Sequence, residues 1–121
     1  MRIGILALAL IGASSAASAM DVATFLAKAD ALKSRGPLAL LSSDLGLLKS
    51  EAVNAGQALR AERIAQVAAG KPTAYCPPAN SSMNSEELLA AMRAIPAADR
   101  SRLSVQAAMK ALMVRKYPCK G

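Results

Sequence analysis

From Asn84 to Pro118 the chain reads NSEELLAAMRAIPAADRSRLSVQAAMKALMVRKYP, and this stretch decides the fold class. Asn84 or Ser85 can cap a helix, Glu87 stands three residues after Asn84 as a capping-box partner, and Glu86 favours the positive helix end. Leu88, Leu89 and Met92 give that helix an apolar face, and Pro96 interrupts it near Ile95. Ala97 to Arg102 reads as a helical turn, and Ser104 can cap a last helix running to Lys116, with Val105, Ala108, Met109, Leu112 and Met113 as its stripe. Arg115 and Lys116 lie where the negative helix end favours cations, and Pro118 stops the helix.

The same grammar extends upstream. Val22, Phe25, Leu26, Ala29 and Leu32 recur at three and four within Asp21 to Ser34, and Gly36-Pro37 ends that first helix. Leu38 to Leu41 reads as a buried connector or a short turn of helix. Ser42-Ser43-Asp44 then offers caps for the longest helix, which runs without proline to Gly70-Lys71-Pro72. Leu45, Leu48, Ala52, Ala55 and Leu59 form its stripe, with Ile64 and Val67 continuing the face after a one-residue slip. That stripe reads as core in preference to a dimer seam, and Gly56 beside Ala52 marks a close helix crossing. Methionines 92, 109 and 113 read as core filling in preference to an adaptable groove.

Composition agrees. Residues 20–121 hold 22 Ala but only nine Val, Ile or Thr, a ratio that suits helices. The expectation is an all-α protein: a small bundle of about four to five helices with one intrachain disulfide, forming a single domain over residues 20–121. Residues 1–19 read as a signal peptide: Arg2, an apolar run from Ile3 to Ala13, and Ala17-Ser18-Ala19 before a cut at Met20. The run is too short for a membrane span, which needs roughly 20 apolar residues. Export places Cys76 and Cys119 where thiols oxidise, so an intrachain disulfide is the default reading, against two free thiols or an intermolecular bridge. Closing a loop of about 43 residues stabilises a chain by roughly 4 kcal/mol in the loop-entropy picture.

Several function classes fall away. With no His there is no Ser-His-Asp or Cys-His catalysis and no imidazole metal site, and two Cys cannot complete a four-ligand zinc site. A Ser-Lys dyad is formally open at Lys49-Ser50, but the pairing is unspecific. We expect no catalytic residue, metal site or cofactor. Residues 20–92 carry seven basic and seven acidic side chains, whereas residues 93–121 carry seven basic ones and only Asp99. A basic C-terminal segment suggests an acidic partner surface or anionic lipid; export and the lack of an aromatic platform argue against nucleic acid.

Tyr75-Cys76-Pro77-Pro78, a short polar loop, the helix with Leu88-Leu89, the Ile95-Pro96 break, Ala107-Ala108 and Lys116-Tyr117-Pro118-Cys119 together resemble the Rap/Tai immunity proteins of type VI secretion, over roughly Tyr75 to Lys120. The resemblance implies a periplasmic helical homodimer that protects its cell by plugging the cleft of a peptidoglycan-cleaving amidase toxin, without catalysis of its own. It also implies that Cys76 and Cys119 form the framework disulfide, with Pro77, Pro78 and Pro118 as rigid flanks. The inhibitory residues do not carry over. Asn80, Ser81, Ser82 and Met83, a loop stiffened by two prolines, are the candidate partner-contact residues, because a loop fixed beforehand loses less freedom on binding. The alternative is a periplasmic stress or chaperone-like helical binding protein, whose acid response, lacking His, would rest on carboxylates titrating near pH ~4. Mass spectrometry of the non-reduced protein should find one linked peptide pair containing both cysteines; two alkylated thiols would remove the staple from this reading.

Overall fold

The computed structural model describes residues 20–120, so the signal-peptide reading of residues 1–19 lies outside the described part. Four α-helices, α1 (Val22–Ser34), α2 (Ser43–Ala68), α3 (Ser85–Arg93) and α4 (Val105–Lys116), are joined by segments that include 3-10 helices at Gly36–Leu41 and Ala97–Asp99. The fold is all-α, with the disulfide Cys76–Cys119 in place.

Each helix begins on a side chain that satisfies its otherwise unpaired first amides. Asp21, Ser42, Asn84 and Ser104 are the four caps, accepting from Thr24, Asp44, Glu87 and Ala107 N–H groups respectively. At α3 the capping box is complete: Asn84 Oδ1 accepts from the Glu87 amide at 2.8 Å, and Glu87 Oε2 accepts from the Asn84 amide at 3.3 Å. At the far end of α2, Gly70 adopts φ +68°, a region costly for any residue with a Cβ, and Lys71 N–H returns to the Gln66 carbonyl at 2.9 Å.

The core is built from Val22, Phe25, Leu26 and Leu32 of α1, Leu48, Ala55 and Leu59 of α2, Leu88 and Met92 of α3, and Val105, Ala108 and Met109 of α4. Helix α2 packs on α1 and α4, and α3 packs on α4 and α1. The expected crossing at Gly56 is there: a Cβ built on it would lie 3.8 Å from Met109 Sδ, so α2 meets α4 where the side-chain bulk is smallest. Met92 and Met109 are buried, as the core-filling reading requires, and Met113 is half-buried.

One expectation fails, and of the two alternatives for Leu38 to Leu41 the short helical turn is the one present. Ile64 and Val67 do not continue the buried face of α2; they are 56% and 66% exposed. At 100° per residue they stand roughly 160° and 100° around the helix from Leu48, so the one-residue slip turns them out of the core. Leu38 to Leu41 forms the short helical turn but is not buried: Leu38, Leu40 and Leu41 are 66%, 78% and 85% exposed. Gly36 at φ +58° and Pro37 wind this segment at three residues per turn, so only Ala39 packs inward against the core.

Met92 is wholly buried and α3 is only nine residues long, so its side chain supplies much of that helix's anchorage. Met92→Ala should lower stability by about 2–5 kcal/mol, read as a fall in the denaturant midpoint. Val67→Ala, at an exposed position, should leave the midpoint nearly unchanged.

Candidate functional site

The cysteines, the proline-stiffened loop and the end of α4 converge. Cys76 and Cys119 are bonded at a Cα separation of 4.9 Å, and the Cys76 amide donates to the Tyr117 carbonyl at 2.8 Å. A covalent link and a backbone bond therefore fasten the segment leading out of α2 to the tail of α4. Tyr75, 5% exposed, wedges this segment inward, and the Arg63 guanidinium of α2 lies 5.8 Å from its ring centroid, within cation–π range.

The loop residues fall into two groups. Asn80 and Ser82 are exposed and Ser81 is half-buried, its amide donating to the Pro78 carbonyl at 3.0 Å. Met83 points the other way and packs against the core. The loop is held from α4 as well: Lys116 Nζ donates to the Ser82 carbonyl at 3.2 Å and to both Glu87 oxygens, at 2.8 and 3.1 Å. Lys116 thus ties together the loop, the capping box of α3 and the end of α4. From the sequence it reads only as a cation complementing its own helix end; no local signal announces a partner 29 residues away.

This triple contact shifts both groups. The hydrogen bond from Lys116, and then that from the Asn84 amide, hold the Glu87 carboxyl below its ordinary value; the Glu87 hydrogen bond raises Lys116 above its own. Asp21 is likewise held low, by its bond from the Thr24 amide.

The basic C-terminal segment is largely occupied within the fold. Arg93 pairs with Asp30 at 2.7 Å, Arg102 with Asp99 at 2.7 Å, Lys110 with Glu62 at 2.6 Å and Lys116 with Glu87 at 2.8 Å. Arg100 donates to the carbonyls of Ile95 and Arg93. The free basic face expected from the charge asymmetry is therefore reduced to Arg115 and Lys120.

A largely apolar groove of about 670 Å³, lined by Phe25, Leu48, Val53, Met83, Leu88 and Met109 among others, opens to solvent between the four helices. Met83 brings the candidate loop into its wall. Among the described residues no polar or charged side chain is buried, and no cluster of three His, Cys, Asp or Glu side chains could hold a metal ion. No described helix is long and apolar enough to cross a membrane.

No protein-family model matches this chain, and no curated protein or solved structure matches it either.

A carboxyl depressed in the fold stabilises it above the unfolded value, and that contribution is lost as pH falls through the folded value. Glu87→Gln should therefore flatten the acid limb of the melting-temperature profile below about pH 4.5, the ordinary value of the group. An acid limb identical to that of the parent would mean that the Glu87–Lys116 contact does not persist in solution.

Proposed function

We propose that this protein is an exported immunity-type protein that binds and inhibits a peptidoglycan amidase toxin of type VI secretion in the periplasm, with no catalysis of its own. The observation that carries the reading is the disulfide joining Cys76-Pro77-Pro78 to Tyr117-Pro118-Cys119 around α3 and α4, because these are the residues on which the resemblance to the Rap/Tai proteins rests. An inhibitor that plugs a cleft needs a surface fixed before the encounter, since ordering a loop on binding lowers affinity. The loop at Asn80–Ser82, tied by the disulfide on one side and by Lys116 on the other, suits that task.

Export has its own support at Met20, the residue after the expected cut. Its backbone nitrogen lies 2.8 Å from Glu51 Oε1 and its carbonyl accepts from the Val105 amide. Cleavage at Ala19-Met20 would place a new ammonium group against that carboxylate, turning a hydrogen bond from a neutral amide into an ion pair. The homodimer has a candidate seam along the flank of α2 that carries exposed Val53 and Ile64.

The test is inhibition. Protein purified from the periplasmic fraction is mixed at equal concentration with the amidase encoded nearest its gene, and release of peptide from purified peptidoglycan is followed. We expect release to stop and the two proteins to co-elute. Unchanged release with separate elution overturns the amidase reading, and selective capture of acid-unfolded proteins in the same preparation would put a chaperone-like function in its place.

A further inference from the structure

Leu40 and Leu41 are the most exposed large apolar side chains among the described residues, and with Leu38 they lie on the 3-10 helix Gly36–Leu41, the tip where α1 joins α2. Leu38, Leu40 and Leu41 are 66%, 78% and 85% exposed, and Leu47, early in α2, is 45% exposed. Leu38, Leu40 and Leu41 do not line the groove between the four helices. Contiguous exposed apolar surface of this kind marks an interaction site.

Charge selects the partner. Exposed Lys33 and Arg35 directly precede the tip, and exposed Lys49 follows it. The two carboxylates nearest in sequence are already engaged, Asp30 by Arg93 at 2.7 Å and Asp44 by Lys28 at 3.3 Å. Among the described residues no carboxylate lies within salt-bridge range of Lys33, Arg35 or Lys49. Exposed leucines flanked in the chain by exposed cations match a bilayer leaflet: acyl chains accept the first and anionic headgroups the second. The Gly36-Pro37 turn and the inward Ala39 hold the leucines in place.

We infer that this tip is a membrane-surface anchor, inserting Leu38, Leu40 and Leu41 into an anionic phospholipid leaflet while Lys33, Arg35 and Lys49 meet its headgroup phosphates. The anchor is independent of the amidase reading, which uses the cysteine-bearing half of the chain.

The chain has no Trp, so a single introduced one reports its own surroundings. Leu41→Trp is titrated with vesicles of phosphatidylcholine, with and without phosphatidylglycerol, and Val67→Trp, on exposed α2, serves as the control. Expected are a blue shift of Leu41→Trp emission on phosphatidylglycerol vesicles only, weakened by high salt, and no shift for Val67→Trp. In flotation of the otherwise unchanged protein, the double substitution L40S/L41S should lower vesicle binding at least about tenfold. Its melting curve should be unaltered, since both leucines are exposed. All variants carry the same residues before Met20, so differences between them report on the tip alone. No blue shift, an equal shift for Val67→Trp, or unchanged flotation of L40S/L41S overturns the anchor. So does a shift that appears without vesicles as protein concentration rises, accompanied by a lower oligomer mass for L40S/L41S, which would assign the leucines to contact between copies of the chain.

Discussion

The structure depends on a short antiparallel pairing between two helix starts. Asp21 and Ser104, the caps of α1 and α4, face each other across an isolated β-bridge, with the Val22 amide donating to the Leu103 carbonyl and the Val105 amide to the Met20 carbonyl, both at 2.9 Å. The Ala23 amide adds a bond to the Arg100 carbonyl at 3.1 Å. The first amides of a helix have no partners within it; here each helix start finds one in the segment that leads into the other. Val22 and Val105, on either side of this seam, have no exposed surface at all. With its start fixed this way and its tail fixed through Cys119, α4 is held at both ends of a span of roughly 18 Å, and α2 and α3 pack against a helix that has little freedom to move.

Such ties matter because the core is thin. The chain offers one Phe and no Trp, and its helices are rich in Ala, which adds helix propensity but little apolar area. Cross-links other than apolar packing supplement it: the backbone seam at the edge of the core, and outside it the disulfide and five ion pairs at the surface. Surface ion pairs each stabilise a fold by about 0–1 kcal/mol, so their larger consequence is the distribution of charge. By engaging Asp30, Glu62, Glu87 and Asp99, four of them compensate Arg93, Lys110, Lys116 and Arg102 of the basic C-terminal segment. Lys33, Arg35 and Lys49, around the α1–α2 tip, are among the cations outside these pairs.

What the sequence made legible was what is decided locally. The caps at Ser42, Asn84 and Ser104, the capping box, the Gly70 stop and the inward stripes of α1, α2 and α4 are all set within a few residues, and the structure bears them out. The cysteine pairing was readable because only two cysteines exist and the leader suggests oxidation. Contacts between residues far apart in the chain were not readable. Nothing local to Asp21 points to Ser104, and nothing local to Lys116 points to Ser82 and Glu87. The α2 face was misread past Leu59, because a stripe followed through a slip takes no account of helix rotation. The buried-connector alternative for Leu38–Leu41 followed from composition alone, whereas the 3-10 turn presents most of its side chains outward. For the candidate loop, stiffness was legible from its prolines, but not the inward turn of Met83.

The two candidate surfaces are rigid for different reasons, and this bears on what each can bind. At the cysteine end, Asn80–Ser82 is fixed by a covalent bond, a charge-assisted contact and two prolines, while its exposed groups are polar. A surface of that kind gains affinity from shape and hydrogen bonding against one defined partner, because little ordering is left to be lost on contact. At the α1–α2 tip the Gly36-Pro37 turn fixes the backbone, but the exposed groups are leucines, which confer almost no directional specificity. Apolar insertion backed by diffuse positive charge is selective for a phase and not for a molecule. The two surfaces share no residue, so anchoring and partner recognition need not compete for the same side chains.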